Sequence, residues 1–137
     1  MSDYLFVYGK LRRGLTNPYA QQLEQQGHFL GQAYYRGKLY LVQDYPGVIP
    51  SDDPACQVIG DLYQLLHPDA LLPVLDDFEG CGPGFSAPTE YIRCLQTVTL
   101  TTGAAQQAWI YLYNHPITDF TEIQPADYIN LMQLLAP

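Results

Sequence analysis

Two short segments of the chain carry the groups best suited to chemistry. Residues 4–14, YLFVYGKLRRG, form an apolar stretch that stops at a glycine and continues into a cluster of cations. Residues 75–80, LDDFEG, place Glu79 at the expected end of a helix. Backbone N–H groups at a glycine turn can hold an anion, and a facing carboxylate can move a proton. The combination favours an enzyme over a scaffold.

The two segments resemble the motifs of the γ-glutamylcyclotransferase-like family, Y-G-[ST]-L-[RK] followed later by L-D-x-x-E-G. The matching positions are Tyr8, Gly9, Leu11 and Arg12 in the first motif, and Leu75, Asp76, Glu79 and Gly80 in the second. Tyr91-Ile92-Arg93 and the aromatic residues 109–113 are also similar to that family, so the resemblance covers most of the chain. Lys10 departs from the pattern, because the family usually has a small hydroxyl residue there.

The resemblance implies both a fold and a reaction. The fold would be α+β, a small mixed β-barrel with flanking helices. The reaction would cyclise a γ-glutamyl amine or γ-glutamyl peptide to 5-oxoproline and release the amine, with Glu79 as the catalytic general acid and base. The substrate-binding residues would be Tyr8, Gly9, Lys10, Leu11, Tyr91 and Tyr113.

This reaction places a requirement on Glu79. A glutamate has a reference pKa of about 4.3 and an α-amine one near 8, so proton transfer from the substrate ammonium is uphill by roughly 5 kcal/mol. We therefore expect Glu79 to be largely buried, because burial and the negative end of a helix both raise a carboxyl pKa. The N–H groups of Gly9, Lys10 and Leu11 would bind the substrate's α-carboxylate or the oxyanion formed at its γ-carbonyl.

Composition limits the other classes of function. The chain has 137 residues, 47% hydrophobic and 15% charged, as expected for one folded domain spanning residues 1–137. The net charge of -8 argues against nucleic acid and anionic membranes as partners. No apolar run approaches the roughly 20 residues that span a bilayer.

Cysteine and histidine usage points to a cytoplasmic protein without a metal or another cofactor. The three cysteines are widely spaced, and the first residues lack a basic signal-peptide region, so we expect reduced thiols in the cytoplasm. The three histidines have no spacing typical of metal ligands. The sequence predicts a small-molecule γ-glutamyl substrate as the partner, through the resemblance, and leaves the oligomeric state open.

The cations Lys10, Arg12 and Arg13 are three of only six in the chain. In an acidic protein such a cluster could attract a small carboxylate substrate. A solvated basic loop is the alternative interpretation. Arg93 also has two interpretations, a site residue or a structural partner of an acid such as Asp76.

Local patterns predict the elements that must position these groups. Residues 4–8 are apolar on both faces, which indicates a central strand. A helix is expected between Asn17-Pro18 and Gly27, followed by strands interrupted at Gly37 and ended by a turn at residues 44–47.

The second half of the chain continues this alternation. Residues 56–65 indicate a strand, and the segment from His67 to Gly80 indicates a helix. A hairpin of residues 91–100 and 107–113 follows. The expected elements end with a helix over residues 125–135, whose inner side would carry Tyr128, Ile129, Met132 and Leu135.

Three alternative functions remain at this point. Asp76 and Glu79 are spaced like the two acids of a retaining glycoside hydrolase, although two neighbours on one helix face cannot flank a sugar. A cysteine hydrolase lacks a local signature. The third is a ligand-binding or interaction domain of the same fold that has lost turnover, with Lys10 as its sign. A glutamate buried beside the residue 9–11 amides would favour catalysis, and an exposed one would favour binding alone.

Overall fold

The computed structural model describes residues 2–135, except for the side chain of Leu135. The strands in this range are β1 (Tyr4–Val7), β2 (Gly27–Leu41), β3 (Pro46–Pro50), β4 (Gln57–Leu65), β5 (Tyr91–Leu100), β6 (Ala105–Tyr113) and β7 (Thr121–Glu122). The helices are α1 (Pro18–Gln26), α2 (Pro68–Phe78) and α3 (Tyr128–Leu135). No helix in the described range is both long and apolar enough to cross a membrane.

Five of the strands close into a barrel. Their order is β2-β4-β1-β6-β5, and β5 returns to pair with β2. β1 and β6 are parallel, whereas the other neighbours are antiparallel. β3 and β7 pair with the C-terminal part of β2. This mixed β-barrel with flanking helices confirms the predicted α+β fold class.

The two faces of β1 explain its apolar sequence. Phe6 and Tyr8 pack with side chains from the other barrel strands, whereas Leu5 and Val7 pack beneath leucines of α1 and α2. Since β1 lies between β4 and β6, both of its faces are covered. The central-strand prediction is therefore confirmed for residues 4–7, and Tyr8 follows the end of the strand.

β2 and β3 differ from the prediction. β2 runs without interruption through Gly37, where an added Cβ would lie 2.6 Å from the Ile49 carbonyl oxygen. Gly37 thus permits a close approach between strands rather than ending one. β3 begins at Pro46, inside the predicted turn, and it is stabilised there by the complete burial of Val48.

α3 begins at Tyr128, later than predicted, and its inner side also differs. Tyr128 is buried and Leu131 packs against the barrel core, whereas Met132 is 44% exposed. The side chain of Leu135 lies outside the described part of the chain. Asp127 precedes the helix and accepts hydrogen bonds from the N–H groups of Ile129 and Asn130. This cap fixes the start of the helix and hence the face turned inward.

Candidate active site

A cavity of about 250 Å³ opens where the end of β1 meets the end of α2. Six of the seven residues predicted for the site lie on its wall, namely Tyr8, Gly9, Lys10, Leu11, Glu79 and Tyr91. Barrel closure therefore brings the two motif segments to one place, although they are far apart in the sequence.

The loop after β1 lines this cavity and carries unpaired backbone donors. Within residues 2–135, no hydrogen bond is formed by the N–H groups of Gly9, Lys10 or Leu11. The loop needs glycine at position 9, because an added Cβ would lie 2.7 Å from Cγ of Pro46. Consecutive free N–H groups of this kind can hold an anion.

Two polar side chains hold this loop in place. The Asn17 amide donates to the Lys10 carbonyl at 2.8 Å, while its Oδ1 atom accepts the Ala20 N–H and caps α1. Arg12 is buried and lies 3.3 Å from Asp61 and 2.7 Å from Asp127. The loop is thereby tied to α1, β4 and the start of α3.

The three cations near the first motif do not form a cluster that faces the cavity. Arg12 forms ion pairs with the carboxylates of Asp61 and Asp127. The Arg13 guanidinium lies 4.5 Å from the centre of the Phe29 ring. Only Lys10 reaches the cavity wall, and its ammonium pairs with Asp44 at 3.0 Å. A buried arginine between two acids stabilises the loop, so the predicted attraction of a carboxylate by Arg12 and Arg13 is not supported.

Glu79 occupies the C-terminal end of α2. Its N–H donates to the Leu75 carbonyl at 2.9 Å, and Gly80, with φ of 72°, turns the chain away. Glu79 is partly buried, since its side chain opens onto the cavity. Burial, followed by the negative charges of Glu90 and Asp76, raises the pKa of Glu79 to about 8.

Asp76 and Arg93 form the structural pair that the sequence left open. Arg93 Nε donates to Asp76 Oδ1 at 2.8 Å, and the Tyr111 hydroxyl donates to the same oxygen at 2.7 Å. The guanidinium also lies 4.4 Å from the centre of the Trp109 ring. These contacts fix the last turn of α2 against β5 and β6.

The hydroxyl protons of Tyr8 and Tyr91 are already used inside the protein. Tyr8 donates to the Tyr111 carbonyl and Tyr91 donates to the Pro46 carbonyl, both at 2.6 Å. Burial is the main reason that the pKa of each phenol is raised, so both stay neutral. The Tyr91 hydroxyl is therefore not free to donate to a substrate, although its oxygen can still accept a hydrogen bond.

Tyr113 is not on the cavity wall. It follows Tyr111 by two positions on β6 and pairs in register with Tyr91. Its ring packs edge-on against that of Tyr91, with 5.3 Å between the ring centres. Because Tyr91 lines the cavity and Tyr113 does not, Tyr113 supports a wall residue without forming the wall.

The cavity also contains two polar residues that the sequence did not predict. Glu90 precedes β5, Tyr45 precedes β3, and the Tyr45 hydroxyl donates to Glu90 Oε2 at 2.5 Å. Burial is the largest cause of the raised pKa of Tyr45, and the bond to Glu90 is the second. No local pattern marks either residue, because only the closed barrel brings them together.

Comparison with known proteins agrees with this geometry. The family model described as gamma-glutamyl cyclotransferase, AIG2-like, matches residues 5–130. The gamma-glutamylaminecyclotransferase of Rattus norvegicus is 27% identical over 135 residues, which cover 82% of this chain and 86% of the relative.

Solved structures show the same fold. YkqA from Bacillus subtilis has a TM-score of 0.72 at 25% identity, and the match covers 98% of this chain but only 42% of YkqA. An aig2-like protein from Mus musculus has a TM-score of 0.70 at 23% identity, with 92% of this chain and 87% of the mouse chain covered. On the family match over residues 5–130, the chain belongs to the gamma-glutamyl cyclotransferase, AIG2-like family.

Proposed function

We propose that the protein cyclises a γ-glutamyl amine or γ-glutamyl peptide to 5-oxoproline and releases the amine, with Glu79 as the general acid and base. The family match and the named activity of the rat relative support this class of reaction. One observation carries the assignment of Glu79: a carboxyl with a pKa of about 8 shares a small cavity with the free N–H groups of residues 9–11.

The raised pKa makes the first proton transfer feasible. Cyclisation needs the substrate's α-amine in its neutral form, so the α-ammonium must first lose a proton. With Glu79 at a pKa of about 8 and an α-amine near 8, this transfer is close to balanced, instead of roughly 5 kcal/mol uphill. The same residue then holds the proton that the leaving amine needs.

The bond changes follow from this proton. The α-nitrogen attacks the γ-carbonyl carbon, forming the ring C–N bond and pushing the carbonyl electrons onto oxygen. Collapse of this oxyanion breaks the bond to the leaving nitrogen, which takes the proton from Glu79. The ring nitrogen then gives its second proton to the Glu79 carboxylate, and the released amine takes it up and leaves as an ammonium. The net reaction converts one γ-glutamyl amide into one 5-oxoproline and one amine, without water.

The residue 9–11 loop and the tyrosines would hold the substrate curled. Free N–H groups can bind either the α-carboxylate or the oxyanion. Tyr8, Leu11 and Tyr91 line a wall that limits the positions open to the glutamyl chain. Well-oriented intramolecular attack reaches effective molarities of about 10⁵–10⁸ M, so holding the curled form is the larger contribution.

The alternative functions fit the structure less well. Asp76 is bound by Arg93 and Tyr111, so it does not act with Glu79 as a glycoside hydrolase pair. Burial raises the pKa of Cys81 to about 11, which disfavours a nucleophilic thiolate. Glu79 lines the same cavity as the free amides of residues 9–11, which favours catalysis over a binding domain that has lost turnover.

We also propose that the protein works in the cytoplasm. The cysteines at positions 56, 81 and 94 are free thiols in the structure. A reducing compartment would keep them so.

A substrate screen tests the proposed reaction. The purified protein is incubated with γ-glutamyl amines, γ-glutamyl amino acids and glutathione near pH 8, and 5-oxoproline is measured. We expect release from at least one class. The matched controls are the same compounds with an acetylated α-amine, which cannot cyclise and should be inert. Absence of 5-oxoproline from every substrate, or equal release from the acetylated controls, would reject the proposal.

A further inference from the structure

The cavity holds a second carboxylate that the cyclisation does not use. Glu90 lies on the same wall as Glu79, and its charge is among the causes that raise the pKa of Glu79. The Glu90 side chain is fixed by the Tyr45 hydroxyl at 2.5 Å, and its carbonyl accepts the Asn114 N–H at 2.7 Å. This acid is therefore held at a defined place in the cavity.

The charges around the cavity do not balance. Among the described wall residues, Lys10 is the single cation, and its ammonium is paired with Asp44. Two acidic side chains, Glu79 and Glu90, thus line the cavity without a basic partner among the described wall residues. The α-ammonium of a γ-glutamyl substrate can satisfy Glu79. A negative charge is left over at Glu90.

Tyr45 keeps Glu90 in the role of a fixed negative charge. Because the pKa of Tyr45 is raised, the phenol retains its proton and donates it in the hydrogen bond. One carboxylate oxygen, Oε2, accepts this bond, and Oε1 forms no hydrogen bond within residues 2–135. Such an oxygen, in a partly buried position, favours a cationic ligand and repels a carboxylate.

We propose that Glu90, held by Tyr45, binds a positively charged group on the leaving amine. The preferred substrates are then γ-glutamyl derivatives of amines that carry a second ammonium or guanidinium group. This inference rests on the proposed cyclisation and narrows its substrate class. It also predicts poor use of leaving amines that carry a carboxylate, such as amino acids and the peptide part of glutathione.

Three substrates with leaving chains of similar length test the inference. They are γ-glutamylputrescine, with a distal ammonium, γ-glutamylpentylamide, with a methyl group in its place, and γ-glutamyl-γ-aminobutyrate, with a carboxylate. For the wild-type protein we expect kcat/KM to fall in that order. In Glu90→Gln we expect the ratio between the cationic and the neutral substrate to fall by about tenfold.

The variant Glu90→Gln and the substrate ratio together separate the effect of the Glu90 charge from other effects of the substitution. Glutamine retains an oxygen that can accept the Tyr45 hydrogen bond, so the local structure should persist. Any change in the pKa of Glu79 acts on all three substrates and cancels in the ratio. Tyr45→Phe keeps the negative charge of Glu90 but removes the hydrogen bond that fixes its side chain. We expect this variant to lower the substrate ratio less than Glu90→Gln does. The control Asp52→Asn removes one charge from an exposed loop and should leave the ratio unchanged.

Binding measurements separate the two proposals. Calorimetric titration of Glu79→Gln and of Glu79→Gln/Glu90→Gln with the three compounds reports charge recognition without turnover. Turnover with the same substrate ratio in wild type and Glu90→Gln, or a wild-type preference for the neutral or anionic compound, would overturn the role of Glu90. Tighter binding of the cation that depends on Glu90, with no 5-oxoproline from any compound, would reject the cyclisation and uphold cation recognition by Glu90.

Discussion

Arg93 Nε lies 2.8 Å from Asp76 Oδ1, one helical turn before Glu79. The ion pair keeps the Asp76 carboxylate near Glu79, and Arg93 compensates the charge of Asp76. Asp76 is one of the causes that raise the pKa of Glu79, after burial and Glu90. The ion pair therefore connects the stability of the end of α2 to the acidity of the candidate catalytic group.

Removing Arg93 should raise the pKa of Glu79 further. In Arg93→Met, the charge of Asp76 loses its partner, so we expect a higher pKa for Glu79 and an activity profile shifted to higher pH. Loss of a partly buried pair should also lower the free energy of unfolding by about 2 kcal/mol. Arg36→Met, at an exposed arginine of β2, is the control. A pH profile identical to that of the wild type would contradict this coupling.

The pH dependence of catalysis should report Glu79 directly. A general base works in its deprotonated form, and the pKa of Glu79 is raised to about 8. We expect kcat/KM to rise with pH up to about 8 and to fall at higher pH, because Glu79 and the free α-amine have then both lost the proton that the leaving amine needs. The profile is measured with a γ-glutamyl substrate in constant-ionic-strength buffers. A profile that is already level near pH 6 would be incompatible with a base of this pKa.

Protein stability should change with pH in the matching direction. The folded pKa of Glu79, about 8, exceeds the ordinary value of 4.5, so the folded state binds the proton more tightly. This contribution is complete below a pH of about 4.5 and is lost as the pH rises through about 8. Glu79→Gln cannot ionise. Its stability relative to the wild type should increase by roughly 4 kcal/mol between about pH 5 and pH 8.5, measured by urea unfolding. A stability difference between Glu79→Gln and the wild type that does not change with pH would show that folding does not raise the pKa of Glu79.

The anion site of the loop can be tested at Gly9. An added Cβ would lie 2.7 Å from Pro46 Cγ, so Gly9→Ala should displace the N–H groups and lower kcat/KM by tenfold or more, on the order of a lost oxyanion contact. Gly84→Ala is the matched control, because its Cβ would meet no atom within 4 Å. Equal activity in the two variants, both folded by circular dichroism, would exclude a role for this loop geometry.

Local sequence patterns predicted the elements better than the contacts among them. Apolar residues on both faces indicated that residues 4–8 form a central strand, and Gly80 indicated the end of α2. Periodicity does not report which strands become neighbours, so barrel closure entered only through the family resemblance. Gly37 shows a further limit, because a glycine that permits close packing looks the same in sequence as one that ends a strand.

The candidate site was predicted as far as its motifs extend. Tyr8, Gly9 and Glu79 lie in two motif segments and reach one cavity. Glu90 and Tyr45 were missed because they contact each other across 45 residues and belong to no local pattern. The charge cluster of the first motif was overinterpreted, since sequence shows that arginines are adjacent but not that Arg12 is buried against acids.

The most direct measurement is the rate of 5-oxoproline release by Glu79→Gln and by the wild type, at saturating γ-glutamyl substrate and a pH of about 8.5. Glutamine preserves the shape of the side chain and removes its ability to exchange a proton. We predict a rate lower by about 10²–10⁴-fold, with unchanged circular dichroism and retained substrate binding. A folded Glu79→Gln protein that works within twofold of the wild-type rate would contradict the assignment of Glu79 as the general acid and base.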